Sequence, residues 1–131
     1  RAAVEEGVVA GGGVALMRCR EVVRALVLKG DEVVGRDIVA AALEAPLKQI
    51  VFNAGAEPEV VVARLREAPA GFGFNAITLR DEDLAASGIL DPAMVTRVAL
   101  QNAASIATLV MTTDAIVVEE DDEAEPPAEE N

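Results

Sequence analysis

The sequence predicts a mostly α-helical fold: a helical bundle with a short β-hairpin and a C-terminal strand, forming an incomplete domain. Apolar residues recur at helical spacing along most of the 131 residues, and β-rich runs are few and short. The chain is 52% hydrophobic, yet it contains three Phe and no Trp or Tyr. Because small apolar side chains bury little area each, a core of this kind needs closely packed helices or additional partners.

The first predicted elements flank a run of three glycines. Residues 1–6 have the pattern of the last turns of a helix, which ends where Gly7 favours a left-handed C-terminal cap. We expect this helix to begin in sequence that precedes Arg1. After the turn at residues 11–13, apolar spacing predicts a helix to about Leu28, followed by a polar loop over residues 29–35.

The next predicted helix, residues 37–53, is apolar on nearly every face, so we expect it to be buried on all sides. Pro46 lies inside this segment. A proline there removes one backbone hydrogen bond and costs about 3 kcal/mol unless the helix bends. Such a helix belongs in the middle of a larger assembly.

The second half of the chain predicts two more helices around a hairpin. Gly55 ends the preceding helix, and Pro58 opens a new one that fades by Pro69. Residues 71–79 favour a β-hairpin or an extended loop. The following helix begins with Asp91 as its N-cap and Pro92 at its first position, and it ends near residues 112–113.

The C-terminal region divides into a strand and a tail. Residues 115–118 have strand character, and the chain offers no obvious partner strand. Residues 119–131 combine acids with two prolines, which predicts a disordered acidic tail. The net charge of −12 is largely a property of this tail, since it holds eight of the 23 acids.

Composition argues against several function classes. The basic residues are scattered without interleaved aromatic residues, which argues against nucleic-acid binding. We find no apolar run close to the roughly 20 residues of a membrane span. The absence of His and the single cysteine, Cys19, argue against a metal site or an internal disulfide. We expect Cys19 to be a buried small hydrophobic residue in a reducing compartment.

The glycine run at residues 11–13 permits two interpretations. Glycines before a helix let a ligand approach the backbone and the helix N-terminal amides, but they also form plain tight turns. The run does not match the dinucleotide fingerprint, because Leu16 stands where a third glycine is required. It also lacks the Lys-Ser/Thr pair of a P-loop.

Asp91 and Asn75 are likewise open to two interpretations. Asp91 before Pro92 is an ordinary helix N-cap, and a carboxylate at a helix start can also accept hydrogen bonds from ribose hydroxyls. Asn75 can present a donor and an acceptor to a base edge, or it can be a turn asparagine beside two glycines.

Three segments in order resemble the C-terminal part of a GroEL-type (group I) chaperonin subunit: residues 4–16, 71–76 and 88–105. The resemblance covers residues 1–118. It implies that residues 1–7 end an intermediate-domain helix and that residues 8–118 form the C-terminal half of an equatorial domain, which binds ATP and makes ring contacts. The acidic tail, residues 119–131, departs from the Gly- and Met-rich ends frequent in that family.

The resemblance also implies a set of nucleotide contacts. Two residues, Gly12 and Asp91, would contact the ribose. Three residues would contact adenine: Asn75, Ala76 and Ile77. Ile50 and Ile89 are possible apolar contacts to the base. Phe74 stands where the family often has Tyr, and Ile77 replaces a smaller residue.

The whole protein implied by the resemblance is an ATP-hydrolysing chaperonin of the protein-folding ATPase (isomerase) class. It would use ATP with Mg²⁺ and K⁺, form stacked homo-oligomeric rings, and enclose non-native polypeptides under a co-chaperonin lid. The phosphate loop, metal ligands and catalytic aspartates are expected before Arg1. We therefore predict no catalytic or metal-binding residue in this chain and no ATP hydrolysis by the chain alone.

The bacterial cytoplasm is the expected location, with the mitochondrial matrix or chloroplast stroma as alternatives. The alternative function is a non-enzymatic helical oligomerisation module without a working nucleotide site.

Overall fold

The computed structural model describes residues 2–114 and is mostly helical with short strands, as the sequence predicts. Its elements in chain order are α1 (Ala2–Glu6), β1 (Val8–Ala10), α2 (Val14–Arg24), α3 (Asp31–Ala42), α4 (Ala45–Asn53), α5 (Pro58–Glu67), β2 (Phe72–Asn75), β3 (Arg80–Asp83), β4 (Leu90–Pro92) and α6 (Ala93–Met111). The predicted strand at 115–118 and the tail at 119–131 lie outside the described residues.

Two antiparallel strand pairs join the helices. Strands β2 and β3 form a hairpin with Asn75 opposite Arg80, and its second strand lies beyond the expected residues 71–79. Strand β1 pairs with β4, with Val8 opposite Pro92, so that the segment after α1 lies beside the segment before α6. The pair β1–β4 was not predicted, because its strands are short and about 80 residues apart.

The predicted single helix over residues 37–53 is wrong. The chain forms α3 and α4 with a turn at residues 43–44, and Pro46 lies in the first turn of α4. A proline at that position has no intrahelical hydrogen bond to lose, so the break avoids the cost of an internal proline. The helix α3 also begins at Asp31, within the expected loop, where two acids face its positive end. Helix α2 ends at Arg24, short of the expected Leu28.

The core lies where α2, α4, α5 and the hairpin meet. Its fully buried side chains form one cluster: Val14, Met17, Leu47, Val51, Val61, Val62, Leu65, Phe74 and Leu84. Residues 37–53 are not buried on all sides by the rest of residues 2–114, since Ile38 is 63% exposed, and their expected burial in a larger assembly stays a prediction. Cys19, expected to be buried, is exposed on α2.

Helix α6 lies largely outside this core. Most of its side chains are exposed and none is fully buried. By length and composition it could cross a membrane, contrary to our reading of the apolar runs, because residues 98–113 carry no charge. A single helix of this kind is weak evidence for a membrane span.

Candidate functional site

The glycine turn, residues 11–13, is where the candidate site residues meet. The amide of Gly11 donates to the carbonyl of Ile89 at 3.0 Å. A Cβ atom on Gly11 would lie 3.2 Å from the Ile89 side chain and 3.4 Å from the carboxyl carbon of Asp91. The segment that carries Ile89 and Asp91 is therefore held directly against this turn.

The next two glycines contact other elements. Gly12 and Gly13 have φ of 64° and 78°, a left-handed conformation that favours glycine. A Cβ on Gly12 would lie 3.6 Å from the carbonyl oxygen of Phe74 in β2, and one on Gly13 would lie 2.7 Å from the amide nitrogen of Leu47 in α4. The turn thus brings β2, α4 and β4 to one place.

Asp91 does not cap α6, so that interpretation was wrong. Asp91 lies in β4 opposite Val9, and α6 begins only at Ala93, with Pro92 at the N-cap position and no side-chain cap hydrogen bond. The strand pairing holds Asp91 in extended backbone before the helix starts. Its carboxylate is exposed and has no hydrogen bond or ion pair within residues 2–114. A free carboxylate therefore stands beside the glycine turn.

An open groove of about 370 Å³ lies next to this carboxylate. Its walls come from the glycine turn, α2, α4 and α6, and include Gly13, Pro46, Ile50, Asp91 and Val95. Apolar walls with one carboxylate suit a ligand that has a flat apolar part and hydroxyl groups. Two predicted contact residues, Ile50 and Asp91, line this groove together.

The Asn75 side chain is part of the hairpin turn and is only 7% exposed. Its Oδ1 accepts hydrogen bonds from the amides of Ile77 at 2.9 Å and Thr78 at 3.3 Å. Its Nδ2 donates to Glu82 at 2.6 Å. Of the two interpretations of this residue, the structure favours the turn asparagine.

The predicted adenine contacts do not all converge. Ile89 packs on the core beside Gly11, whereas Ala76 and the 91% exposed Ile77 lie in the hairpin turn and do not line the groove. Sequence reasoning missed the hydrogen bond that Glu82 accepts from Asn75. This contact depends on the register of the hairpin, and the acidic run at residues 81–83 does not predict which carboxylate makes it.

A charged cluster surrounds Glu44, the residue that precedes α4. The buried carboxylate of Glu44 pairs with Arg66 at 2.5 Å, Arg20 at 3.0 Å and Lys48 at 3.3 Å. Burial raises the pKa of Glu44, but hydrogen bonds from Arg66 and Lys48 and their charges outweigh burial, so the pKa is lowered. Within residues 2–114, no cluster of three His, Cys, Asp or Glu side chains could hold a metal ion.

Comparison with known proteins shows the family to which the chain belongs. Residues 1–121 match the model of the TCP-1/cpn60 chaperonin family. A similar solved structure is the open-state monomer of a group II chaperonin from Methanococcoides burtonii, with 25% sequence identity and a TM-score of 0.76. The match covers 86% of this chain and 30% of the M. burtonii chain, so the chain spans less than a third of that protein's length. The family model matches more than nine-tenths of the sequence, and the chain belongs to the TCP-1/cpn60 chaperonin family.

Proposed function

We propose that this chain is the part of an ATP-dependent chaperonin subunit that supplies the adenosine side of the nucleotide pocket and some of the ring contacts. The observation that carries the proposal is the free carboxylate of Asp91 beside the glycine turn. Such a carboxylate can accept hydrogen bonds from ribose hydroxyls, and the adjoining groove with Ile50 in its wall can receive the apolar face of a base.

The charges of the groove indicate which part of the nucleotide it would bind. The groove offers one carboxylate and apolar walls, whereas phosphates need cationic groups, backbone amides or a metal ion. The part of the chain that the structure describes has no cluster of three His, Cys, Asp or Glu side chains that could hold a metal ion, and we assign the Mg²⁺ ligands and the catalytic aspartates to other parts of the subunit. This chain alone would therefore not hydrolyse ATP.

The remaining elements of the proposal concern the whole protein. It would assist folding of non-native polypeptides inside stacked rings of identical subunits, under a co-chaperonin lid, in the bacterial cytoplasm or in an organelle matrix. The assignment to group I rests on the three sequence segments quoted above, since the solved M. burtonii structure belongs to group II.

The test compares two ligands in the complete subunit: ATP and 2′,3′-dideoxy-ATP, which lacks both ribose hydroxyls. We expect the wild type to bind the dideoxy compound about 10-fold or more weakly, because hydrogen bonds to charged groups contribute about 1.5–3 kcal/mol. Asp91→Ala should weaken ATP binding to a similar degree. Asp91→Ala should also bind the two ligands equally well, because the ribose hydroxyls and the Asp91 carboxylate are the two partners of the same hydrogen bonds.

Asp31→Ala is the matched control, since Asp31 is an exposed aspartate in the first turn of α3 and does not line the groove. It should leave both affinities unchanged. Full discrimination between the two nucleotides in Asp91→Ala would contradict the role of Asp91. Absence of ATP binding by the wild-type subunit would contradict the proposed function.

The alternative function, a non-enzymatic oligomerisation module, is favoured by the exposed apolar side chains of α6. Ring contacts and a nucleotide pocket can coexist, so this alternative differs only in lacking nucleotide binding. A complete subunit that forms rings and binds no ATP would support it.

A further inference from the structure

The first turns of α4 form one wall of the groove beside the glycine turn. Pro46 and Ile50 line the groove from α4, together with Asp91 from β4. The glycine turn packs directly on this wall, because a Cβ atom on Gly13 would lie 2.7 Å from the amide nitrogen of Leu47 and 3.2 Å from the carbonyl carbon of Pro46. The width of the groove therefore depends on where α4 begins.

The start of α4 has no side-chain cap. Glu44 occupies the N-cap position with a φ of −87° and a ψ of −17°, and its side chain makes no cap hydrogen bond. Pro46, in the first turn, has no amide hydrogen to donate. The carbonyl of Glu44 accepts from the amide of Lys48 at 3.0 Å, so the position of Glu44 sets the position of the first turn.

The carboxylate of Glu44 is bound instead to the neighbouring helices. Its Oε1 accepts from Nη2 of Arg66 in α5 at 2.5 Å and pairs with Nε of Arg20 in α2 at 3.0 Å. Its Oε2 pairs with Nζ of Lys48 at 3.3 Å. The side chain of Glu44 is 4% exposed, so salt and water screen these pairs little. One carboxylate, on the residue directly before α4, thereby joins three helices.

We propose that Glu44 is a positioning residue for the groove, holding the first turns of α4 so that the wall with Pro46 and Ile50 closes on a ligand bound at Asp91. This inference rests on the proposed function, in which the groove receives the nucleoside. Glu44 does not line the groove and acts through the backbone of α4.

Asp91 is held in place by a different set of contacts. It lies in β4 opposite Val9, and the carbonyl of Ile89, two residues before it, accepts from the amide of Gly11. These contacts come from β1 and the glycine turn and not from α4. A shift of α4 would therefore weaken contacts to the apolar part of a ligand and leave hydrogen bonds between Asp91 and its hydroxyls in place.

The experiment measures the Kd of the complete subunit for ATP and for 2′,3′-dideoxy-ATP. Glu44→Gln removes the charge, and it should raise both Kd values about 4- to 15-fold, which corresponds to losing the burial of one or two CH₂ groups. The ratio of the two Kd values should stay that of the wild type, whereas Asp91→Ala should abolish it. Arg66→Gln breaks the same ion pair from the other side and should give the same pattern as Glu44→Gln.

Two controls separate positioning from loss of stability. Val62→Ala removes buried volume from α5 at a residue that does not line the groove, and its loss of stability in urea unfolding should be comparable to that of Glu44→Gln. Glu59→Gln removes the other carboxylate that pairs with Lys48, at an exposed position. We expect both control variants to keep the wild-type Kd for each nucleotide.

An unchanged Kd for ATP in either Glu44→Gln or Arg66→Gln would overturn the inference. An equal rise of the Kd in Val62→Ala would overturn it as well, because the effect would then follow stability alone. So would a lost preference for ATP over the dideoxy compound in Glu44→Gln, since the substitution would then act on Asp91.

These outcomes leave the proposed function intact, because the wild type still binds ATP and still prefers it to the dideoxy compound. A wild-type subunit that does not bind ATP would contradict the proposed function itself, and this inference with it.

Discussion

Among individual residues, Glu44 pairs with three cationic side chains in the described structure. Its side chain is 4% exposed and lies between three cations, those of Arg20, Lys48 and Arg66. A buried carboxylate of this kind is tolerated because its partners replace the lost hydration. Its removal leaves Arg66 without this counter-charge, whereas Arg20 still pairs with Glu21 and Lys48 still pairs with Glu59.

We predict that Glu44→Gln lowers the free energy of unfolding by about 1.5–3 kcal/mol, measured by urea unfolding near pH 7, because the charged hydrogen bond to Arg66 is lost. Glu59→Gln is the control, because Glu59 also pairs with Lys48, at 2.8 Å, but is 70% exposed. Exposed pairs contribute about 0–1 kcal/mol. Equal losses in the two variants would contradict the assigned importance of burial.

The pH dependence provides a second measurement of the same prediction. The pKa of Glu44 is lowered in the folded chain, from an ordinary value of 4.5. The folded state therefore binds fewer protons there than the unfolded state, and its contribution is complete above pH 4.5 and is lost as pH falls through the lowered pKa. The wild type should lose stability over this acid range more steeply than Glu44→Gln.

At the candidate site, sequence and structure agree on some residues and differ on others. The turn itself was predictable because consecutive glycines before a helix favour a tight turn, and Gly12 and Gly13 have the positive φ that such a turn requires. The role of Asp91 at the site stays a prediction, and its assignment as a helix cap failed because the pairing of Val9 with Asp91 is a long-range contact. The hydrogen bonds of Asn75 were not predictable, since they depend on the hairpin register that brings Glu82 near.

At the level of elements, helix boundaries set by neighbouring residues were predicted correctly, whereas features that depend on contacts between distant residues were not. The start of α5 at Pro58 and the positive φ of Gly7 and Gly55 follow from neighbouring residues. The division of α3 from α4 was missed because a continuous apolar pattern concealed it, although Pro46 marked the place. Burial of α3 depends on partners that the pattern alone does not specify.

The glycine turn permits a sharp test at this level. Gly13→Ala would place its Cβ 2.7 Å from the Leu47 amide nitrogen at a positive φ, so we predict a loss of at least about 2 kcal/mol in the free energy of unfolding. Gly35→Ala is the control, because Gly35 lies inside α3 with open space around it. That change should stabilise the chain by about 0.5–1 kcal/mol, since alanine is the better helix former. A stable Gly13→Ala chain would contradict the close contact between the turn and α4.

At the level of the whole molecule, much apolar surface faces outward. On α6 the exposed side chains include Val95, Ile106, Leu109, Val110 and Met111. Single exposed apolar residues are ordinary, but several along one helix form a surface that favours association. This distribution is in keeping with a chain that belongs to a larger assembly.

We predict that the chain self-associates as its concentration rises, measured by sedimentation velocity. Leu109→Gln should shift the association to higher concentration, because Leu109 is 65% exposed on α6. Val27→Gln is the control, since Val27 is 94% exposed in the loop between α2 and α3 and should have little effect. A chain that stays monodisperse at all concentrations would contradict the prediction.

The pairing of β1 with β4 has a consequence for biosynthesis. Val8 leaves the ribosome about 80 residues before Pro92, its partner. At a synthesis rate of about 5–20 residues per second, β1 of the nascent chain would have no partner strand for roughly 4–16 s. Slow codons between these segments would lengthen the exposure, so the yield of soluble protein should depend on translation speed between β1 and β4.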